Sequence, residues 1–318
     1  MMNTKINGKK VIIFGGTGFI GSHLINILCK NSCQVDVVTR RNLKKLDFFI
    51  GNEPGQVRIV KIKKFEKDEL DQIIDGSEIL FNLIGILFES NRGDFTRAHI
   101  DIPREIAASA TRVGLRNFVH VSALNIEKSR NSIYANSKIK GEEAIKKEFS
   151  NCVIVRPSVV FGKGDGFTNL FSDMSKFSPF LPLVGTPEIA RKNFIPKINF
   201  NHKVKFQPVY VGDLVKFLVN VCSMKKKSYD IAGPTIQSFE EIFKIILSIK
   251  KRKRILIPIP FFIARLMAFF FEFLPKPPLT RDQVKLLRVD SVSAKGFQNL
   301  KIHVNNPSSL KTVAPTYL

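Results

Sequence analysis

Residues Val11–Gly21 read VIIFGGTGFIG, and no other stretch constrains the fold as strongly. Four apolar residues run into glycines at positions 15, 18 and 21, after which Leu24, Ile25 and Leu28 repeat at helical spacing. Strand, tight glycine turn and helix in that order form the cradle that a dinucleotide pyrophosphate needs. One glycine permits the sharp turn, a second lets the backbone approach the phosphates, and a third lets the helix pack on the strand. The phosphates then lie against the free N–H groups and positive end of the helix. A glycine pattern alone is weak evidence; the strand before it and the helix after it are the context it requires. The candidate cofactor-binding residues of this turn are Gly15, Thr17, Gly18, Phe19, Ile20 and Gly21.

The motif opens a regular alternation. Strand-like runs fall at Val11–Phe14, Gln34–Thr39, Val57–Ile62, Ile79–Ile84, Asn117–Val121 and Val153–Val155. Helical patterns separate them at Phe19–Lys30, Asn42–Ile50, Lys67–Ile74, Phe95–Val113 and Ser132–Glu148. This implies an α/β fold: a doubly wound, Rossmann-type parallel sheet covered on both faces by right-handed crossovers. A ligand then lies outside the carboxyl ends of the strands. After Arg156-Pro157 the rhythm breaks, with proline turns expected at Pro179, Pro182, Pro187 and Pro196. Pairing resumes near Phe206–Val211, ahead of a helix at Asp213–Val221. We expect residues 1–160 to form the nucleotide-binding domain and 161–318 a smaller, mixed substrate or partner lobe, interleaved in one compact unit. Asn305–Leu318 reads as a short docked tail.

Ser122, Tyr134 and Lys138 carry candidate chemistry. Ser122 ends the fifth strand, and Tyr134 and Lys138 stand four apart on the following helix, within YANSK. Residues at that spacing share a helix face. A nearby ammonium favours the phenolate and would lower the tyrosine pKa from about 10 towards a range suited to proton transfer. Ser122 would hydrogen-bond a substrate carbonyl or hydroxyl. The bland alternative is a tyrosine that starts a helix and a solvated lysine. The second strand ends at Thr39 and runs into Arg40 and Arg41, where an NAD site places an acid for the ribose 2′-hydroxyl. Two guanidiniums there favour the 2′-phosphate of NADP(H) over NAD(H); the alternative is an ordinary basic loop. Asp36 lies inside the strand and is poorly placed for the acidic role. Asn82 and Gly85 close the fourth strand, where they would line the adenosine or the nicotinamide ribose; by themselves they are an ordinary strand end.

Lys and Arg total 50 against 27 acidic residues, a net charge of +23. Nucleic acid, an anionic membrane or an acidic partner would suit that charge, as would the Lys- and Asn-rich usage of AT-rich coding. The basic residues form no recognised nucleic-acid module, so we expect no nucleic-acid partner. Cys29, Cys33, Cys152 and Cys222 show neither metal-ligand spacing nor a disulfide framework, and no metal site is expected. No signal peptide is expected, because the apolar run after Lys9-Lys10 passes straight into the glycine turn. Near the C-terminus, KKRKR at Lys250–Arg254 precedes ILIPIP and then FFIARLMAFFFEFL at Phe261–Leu274. As a helix that last run rises ~21 Å, short of a ~30 Å bilayer core. It would lie in an anionic membrane interface, meet a large assembly, or be buried in the smaller lobe. With no transmembrane helix, the chain is expected to be cytoplasmic, peripheral on the cytoplasmic or inner membrane.

GGTGFIG, the Ser122/Tyr134/Lys138 set and RPSVVFG at Arg156–Gly162 resemble the extended or atypical short-chain dehydrogenase/reductases, the NAD-dependent epimerase/dehydratase family. More narrowly, the chain is similar to the nucleotide-binding accessory subunits of respiratory complex I and their alphaproteobacterial relatives. FGKGDGFTNLF (Phe161–Phe171), FQPVYVGDL (Phe206–Leu214), YDIAGP (Tyr229–Pro234) and LPKPPLTRDQVKLL (Leu274–Leu287) carry this likeness, the last most specifically. The resemblance implies a tightly held NADPH, a link to complex I or quinone metabolism, and peripheral attachment to the respiratory membrane or another membrane assembly. It further implies that Gly15, Gly18 and Gly21 bind pyrophosphate, that Arg40 faces the 2′-phosphate, and that Tyr134 and Lys138 border the nicotinamide. In the mitochondrial subunit the nucleotide is regarded as structural. Two features depart from that pattern. A longer segment, Thr186 to Lys205, replaces a short glycine-rich turn, and the full Ser/Tyr/Lys set is more than a structural nucleotide requires. Turnover therefore stays open, and the alternative is a soluble NADP-dependent reductase or epimerase/dehydratase acting on a sugar nucleotide or small carbonyl compound.

Overall fold

The computed structural model describes residues 6–41, 53–192, 195–202, 204–224 and 228–318. The first half alternates: β1 (Lys10–Phe14), α1 (Phe19–Lys30), β2 (Gln34–Thr39), β3 (Val57–Lys61), α2 (Lys67–Ile74) and β4 (Ile79–Asn82). A helical run follows, made of α3 (Asp94–Thr96), a π-helical turn (Arg97–Asp101) and α4 (Ile102–Arg112). Then come β5 (Asn117–Val121), α5 (Ile133–Glu148) and β6 (Val153–Pro157). The uninterrupted helix expected at Phe95–Val113 is thus widened near its start. The helix expected at Asn42–Ile50 lies outside the described residues.

The chain continues through β7 (Val160–Phe161), α6 (Gly166–Phe177), β8 (Phe180–Val184), β9 (Thr186–Lys192) and β10 (Ile195–His202). Short strands β11 (Lys205–Phe206) and β12 (Val209–Tyr210) lead into α7 (Val211–Val221), β13 (Ser228–Ile231) and β14 (Gln237–Ser238). The remainder is α8 (Phe239–Ile249), β15 (Ile255–Ile259), α9 (Phe261–Phe271), α10 (Arg281–Leu286), α11 (Ala294–His303) and α12 (Leu310–Val313).

Seven strands pair in parallel in the order β13-β6-β5-β4-β1-β2-β3. The edge strand β13 is one more than the sequence pattern implies, and it draws the second half of the chain into the sheet. Alternation along β1 sends Val11 and Ile13 to one face and Ile12 and Phe14 to the other. The first face packs on Leu24 and Leu28 of α1, Leu214 and Leu218 of α7, and Leu300 of α11. The opposite face packs on Leu70 of α2, Ile106 and Ala110 of α4, and Ile145 of α5. Central strands covered on both sides explain why the runs are apolar rather than alternating.

A smaller lobe has its own core, in which Phe161, Phe171, Phe206, Phe239 and Phe243 gather with Leu181 and Phe261. Three prolines expected in turns instead sit in strands: Pro182 in β8, Pro187 in β9 and Pro196 in β10. All three belong to two-stranded ladders, where every strand has a free edge and a missing N–H is tolerated. Within the Thr186–Lys205 segment, β9 pairs antiparallel with β10.

Helix α9 stops at Phe271, short of the expected Leu274. It buries Phe261, Ala264 and Ala268, while Phe262 is 72%, Phe270 61% and Phe273 76% exposed. A wholly buried helix is therefore excluded. Part of the adjoining basic run is used within the fold. Arg254 donates to the Ser175 carbonyl at 2.9 Å in the last turn of α6, and Arg252 to the Ser172 carbonyl at 3.1 Å on the same helix. No helix among the described residues is long and apolar enough to cross a membrane.

Candidate nucleotide site

The carboxyl end of β1 turns at Gly15, whose φ of +78° suits glycine. A Cβ there would stand 2.9 Å from the carbonyl carbon of Leu83, just past β4. Gly18 closes the turn by donating its N–H to the Gly15 carbonyl at 3.1 Å, and it then caps α1 without a side chain. A Cβ on Gly21 would come within 2.5 Å of the Gly16 Cα, so this glycine sets how closely α1 approaches the turn. Phe19 and Ile20 pack their side chains against the sheet core, and Thr17 is partly exposed. What Phe19 and Ile20 offer a ligand is their main chain at the start of α1.

Arg40 and Arg41 follow β2, beside β1, and both are exposed. Asp36 is committed elsewhere: Arg58 on β3 grips both its oxygens at 2.8 and 2.6 Å. That pairing agrees with Asp36 being poorly placed to meet a ribose.

Asn82, the last residue of β4, stands in register with Phe14 on one side and His120 on the other. Its Oδ1 accepts the Ile84 N–H at 3.1 Å, while its buried Nδ2 has no partner. Ser122 follows β5 directly; its N–H donates to the Val155 carbonyl at 2.8 Å, and its buried Oγ has no partner. Both orphaned groups lie at the strand ends where a ligand of this fold binds.

Helix α5 delivers Tyr134 and Lys138. The Lys138 Nζ lies 3.1 Å from where a Gly85 Cβ would be, so the amine meets the loop after β4. Burial pulls the ammonium down to about 8, against the opposing pull of Glu142. The partly buried Tyr134 phenol is pushed up to about 12 by burial. The expected lowering by Lys138 is absent, and burial alone sets the direction. Arg40 and Arg41 stand apart from the trio, across β1 at the β2 end.

Two residues join this site that the motifs did not announce. His99, in the π-helical turn, lies edge-on to the Tyr134 ring at 5.4 Å and stacks with Phe95 at 5.3 Å. The Ile86 N–H donates to its Nε2 at 3.1 Å, which leaves the proton on Nδ1, 2.7 Å from Ser137 Oγ. The Ser137 hydroxyl in turn donates a hydrogen bond to the Tyr134 carbonyl at 2.7 Å. Burial first, and Lys138 second, push His99 down to about 3, so the ring is neutral. Its spacing of four from buried Phe95 was the available sequence signal. The other residue, Asp282, reaches the start of α5 from the smaller lobe; nothing local in the sequence aims it there.

The family model for the NAD dependent epimerase/dehydratase family matches residues 11–232. The chain belongs to this family. The chain is 27% identical over 318 residues to the Mus musculus NADH dehydrogenase (ubiquinone) 1 alpha subcomplex subunit 9, mitochondrial, covering 98% of this chain and 80% of the relative. The Arabidopsis thaliana subunit of the same name is 28% identical over 322 residues, at 94% and 75% coverage. A Caulobacter vibrioides ceramide reductase is 31% identical over 174 residues, covering 55% of this chain and 53% of that one. Among solved structures, gox2253 superposes with a TM-score of 0.72 at 15% identity, covering 97% of this chain and 96% of that one. MoeE5 in complex with UDP-glucuronic acid and NAD does so with a TM-score of 0.67 at 13% identity and 97% coverage of both chains. These structures share the family's fold. The chain is thus an NAD(P)-binding epimerase/dehydratase-family protein related to a complex I subunit.

Proposed function

We propose that this family member holds NADP(H) across the ends of β1, β2 and β4 and attaches to complex I or another membrane assembly through its smaller lobe. The observation that most supports the reading is the meeting of three elements: Gly15 bears on Leu83 after β4, and Lys138 bears on Gly85 two residues later. The group fits these residues, since a Cβ at Gly15 would fill the turn and Asn82 Nδ2 is a buried donor without a partner. The turn from Gly15 to Gly21 takes the pyrophosphate, Arg40 and Arg41 the 2′-phosphate, and Asn82 and Gly85 the ribose side. Tyr134 and Lys138 border the nicotinamide, with Ser122 on the substrate side. When bound, the nicotinamide supplies or accepts a hydride. Lys138 orients the cofactor through its ammonium, and Tyr134, neutral at physiological pH, holds the proton to be moved.

Attachment rests on the named complex I relatives and on the exposed phenylalanines of α9, with the exposed Lys251 and Lys253 ahead of β15 in sequence. A membrane-facing surface of this kind combines apolar side chains with flanking cations. The second reading, a carbonyl reductase that turns over, draws on Ser122, whose Oγ a structural nucleotide alone would leave unused, and on the likeness to ceramide reductase. The deciding experiment is recovery from native membranes in mild detergent, with partners and extracted nucleotide identified together. Recovery with complex I subunits and NADPH is expected. A chain recovered alone, with no nucleotide and no thermal stabilisation by added NADPH, overturns the proposal.

A further inference from the structure

The Leu274–Leu287 segment lies outside the nucleotide cradle, yet one of its side chains reaches the helix that carries Tyr134 and Lys138. Asp282, in the first turn of α10, sits on the N-terminus of α5. Its Oδ1 accepts the Ile133 N–H at 2.9 Å, and its Oδ2 accepts the Tyr134 N–H at 2.9 Å and the Ser132 hydroxyl at 2.7 Å. The two N–H groups are among the four donors that a helix start leaves unpaired, and an anion is the favoured charge at that end. The carboxylate therefore holds the backbone of Tyr134 itself.

Asp282 is itself held in place. Thr280 and Gln283 form a reciprocal capping box at the start of α10, and the Gln283 side chain also donates to the Leu87 carbonyl at 3.4 Å. The preceding Arg281 bonds Glu272 at the end of α9 through its N–H and its Nε, both at 2.7 Å. Its guanidinium lies 5.2 Å over the ring of Phe269. Further along, the Asn125 amide, beyond β5, donates to the carbonyls of Asp290 at 2.8 Å and Val292 at 3.1 Å. An unbroken run of contacts thus leads from Phe269 and Glu272 through Arg281 and Asp282 to the first turn of α5.

We infer that Asp282 is a positioning residue for Tyr134 and Lys138, and that it couples the exposed helix α9 to the nucleotide site. The inference rests on the proposal that NADP(H) binds beside Tyr134. Withdrawing the carboxylate leaves these three donors of α5, and the Lys285 ammonium at 3.4 Å, without their acceptor and loosens the turn that sets the phenol. Because such coupling is reciprocal, nucleotide bound beside Tyr134 in turn biases the α9–α10 corner.

The test combines amide hydrogen exchange with NADPH titration on the full-length protein, Asp282→Ala and Asp282→Asn. Without nucleotide, exchange at Ile133 and Tyr134 rises about tenfold in Asp282→Ala, the scale of a lost cap, and less in Asp282→Asn, which keeps one acceptor oxygen. NADPH protects both α5 and Arg281–Leu286 in the wild type, but only α5 in Asp282→Ala. The NADPH Kd rises about fivefold to tenfold in Asp282→Ala, again with Asp282→Asn between. At saturation, the emission of bound nicotinamide moves towards that of free NADPH in the same graded order. A purely structural role would not grade that signal. Unchanged exchange at Ile133 and Tyr134 overturns the inference, as does NADPH protection of α10 that survives Asp282→Ala. A wild type that binds no NADPH defeats the proposed function instead, and the exchange comparison without nucleotide still decides whether Asp282 holds α5.

Discussion

Removing the amine of Lys138 is expected to stabilise the nucleotide-free protein while weakening its grip on nucleotide. Lys138 is only 5% exposed, and burial lowers its ammonium from 10.5 to about 8. Below that value the amine is charged in folded and unfolded chains alike, and the folded state carries the whole cost of burying it. Between about 8 and 10.5 the unfolded chain keeps a proton that the folded chain has released, so rising pH favours folding. At about 1.4 kcal/mol per pH unit, that interval amounts to about 3 kcal/mol. Lys138→Met keeps a similar stem and removes the charge. Its stability advantage over wild type, measured by urea unfolding without nucleotide, is expected to be largest at neutral pH. It then shrinks by about 3 kcal/mol as pH rises through the window, while groups common to both proteins cancel. NADPH at a hundredfold excess over Kd adds about 2.7 kcal/mol to the wild type and much less to the variant. A stability difference that does not change across that window refutes the argument that Lys138 is held charged at a cost.

Gly15→Ala must adopt a left-handed conformation costing about 1–2 kcal/mol and also displace Leu83, so titration calorimetry is expected to show NADPH binding weakened at least about tenfold. Arg40→Ala removes a charge-assisted contact worth about 1.5–3 kcal/mol to NADPH and nothing to NADH; equal weakening of the two in parallel titrations would take the 2′-phosphate role from Arg40. Tyr134→Phe is expected to abolish any turnover with NADPH affinity within about threefold of wild type, since the ring keeps its packing on Phe95 and His99; retained turnover in a spectrophotometric assay removes the phenol from proton transfer. Phe262→Ser with Phe270→Ser is expected to stop flotation with anionic vesicles and leave the unfolding midpoint near that of the wild type, because both rings are already exposed. Flotation that persists in the double variant rules out α9 as the lipid-facing element.

The sheet was legible because its strands are buried on both faces and its glycine turn has few alternative uses. Edge strand β13 was not, since the four residues Ser228–Ile231 are too few to show a period. Helical spacing announced both Phe95–Val113 and α9, but the same spacing fits a π-helical turn at Arg97–Asp101 and is silent on which face meets solvent. Trio members could be listed from YANSK and the end of β5. Their protonation could not, because it depends on how deeply Tyr134 and Lys138 sit rather than on their spacing of four. KKRKR read as a free basic cluster, whereas Arg252 and Arg254 are drawn to α6 carbonyls some eighty residues earlier. Asp282 is the extreme case. Its partners lie about 150 residues away, and only the folded chain brings a carboxylate from the smaller lobe to the start of α5.

The protonation states bear on what the site would do with a bound nucleotide. A phenol at about 12 is a proton donor at neutral pH, and a neutral His99 beside it holds its own proton in a bond to Ser137. On the proposed reading Tyr134 would give its proton to a carbonyl while a bound NADPH supplied the hydride, and would take it back in the reverse direction. The same features serve retention of a nucleotide. Lys138 is buried at a cost, and Asn82 Nδ2 has no partner in the fold, so each gains from a hydrogen-bonding ligand. Ser122 separates the two uses: a retained nucleotide gains little from its Oγ, whereas a carbonyl awaiting Tyr134's proton would be its natural partner.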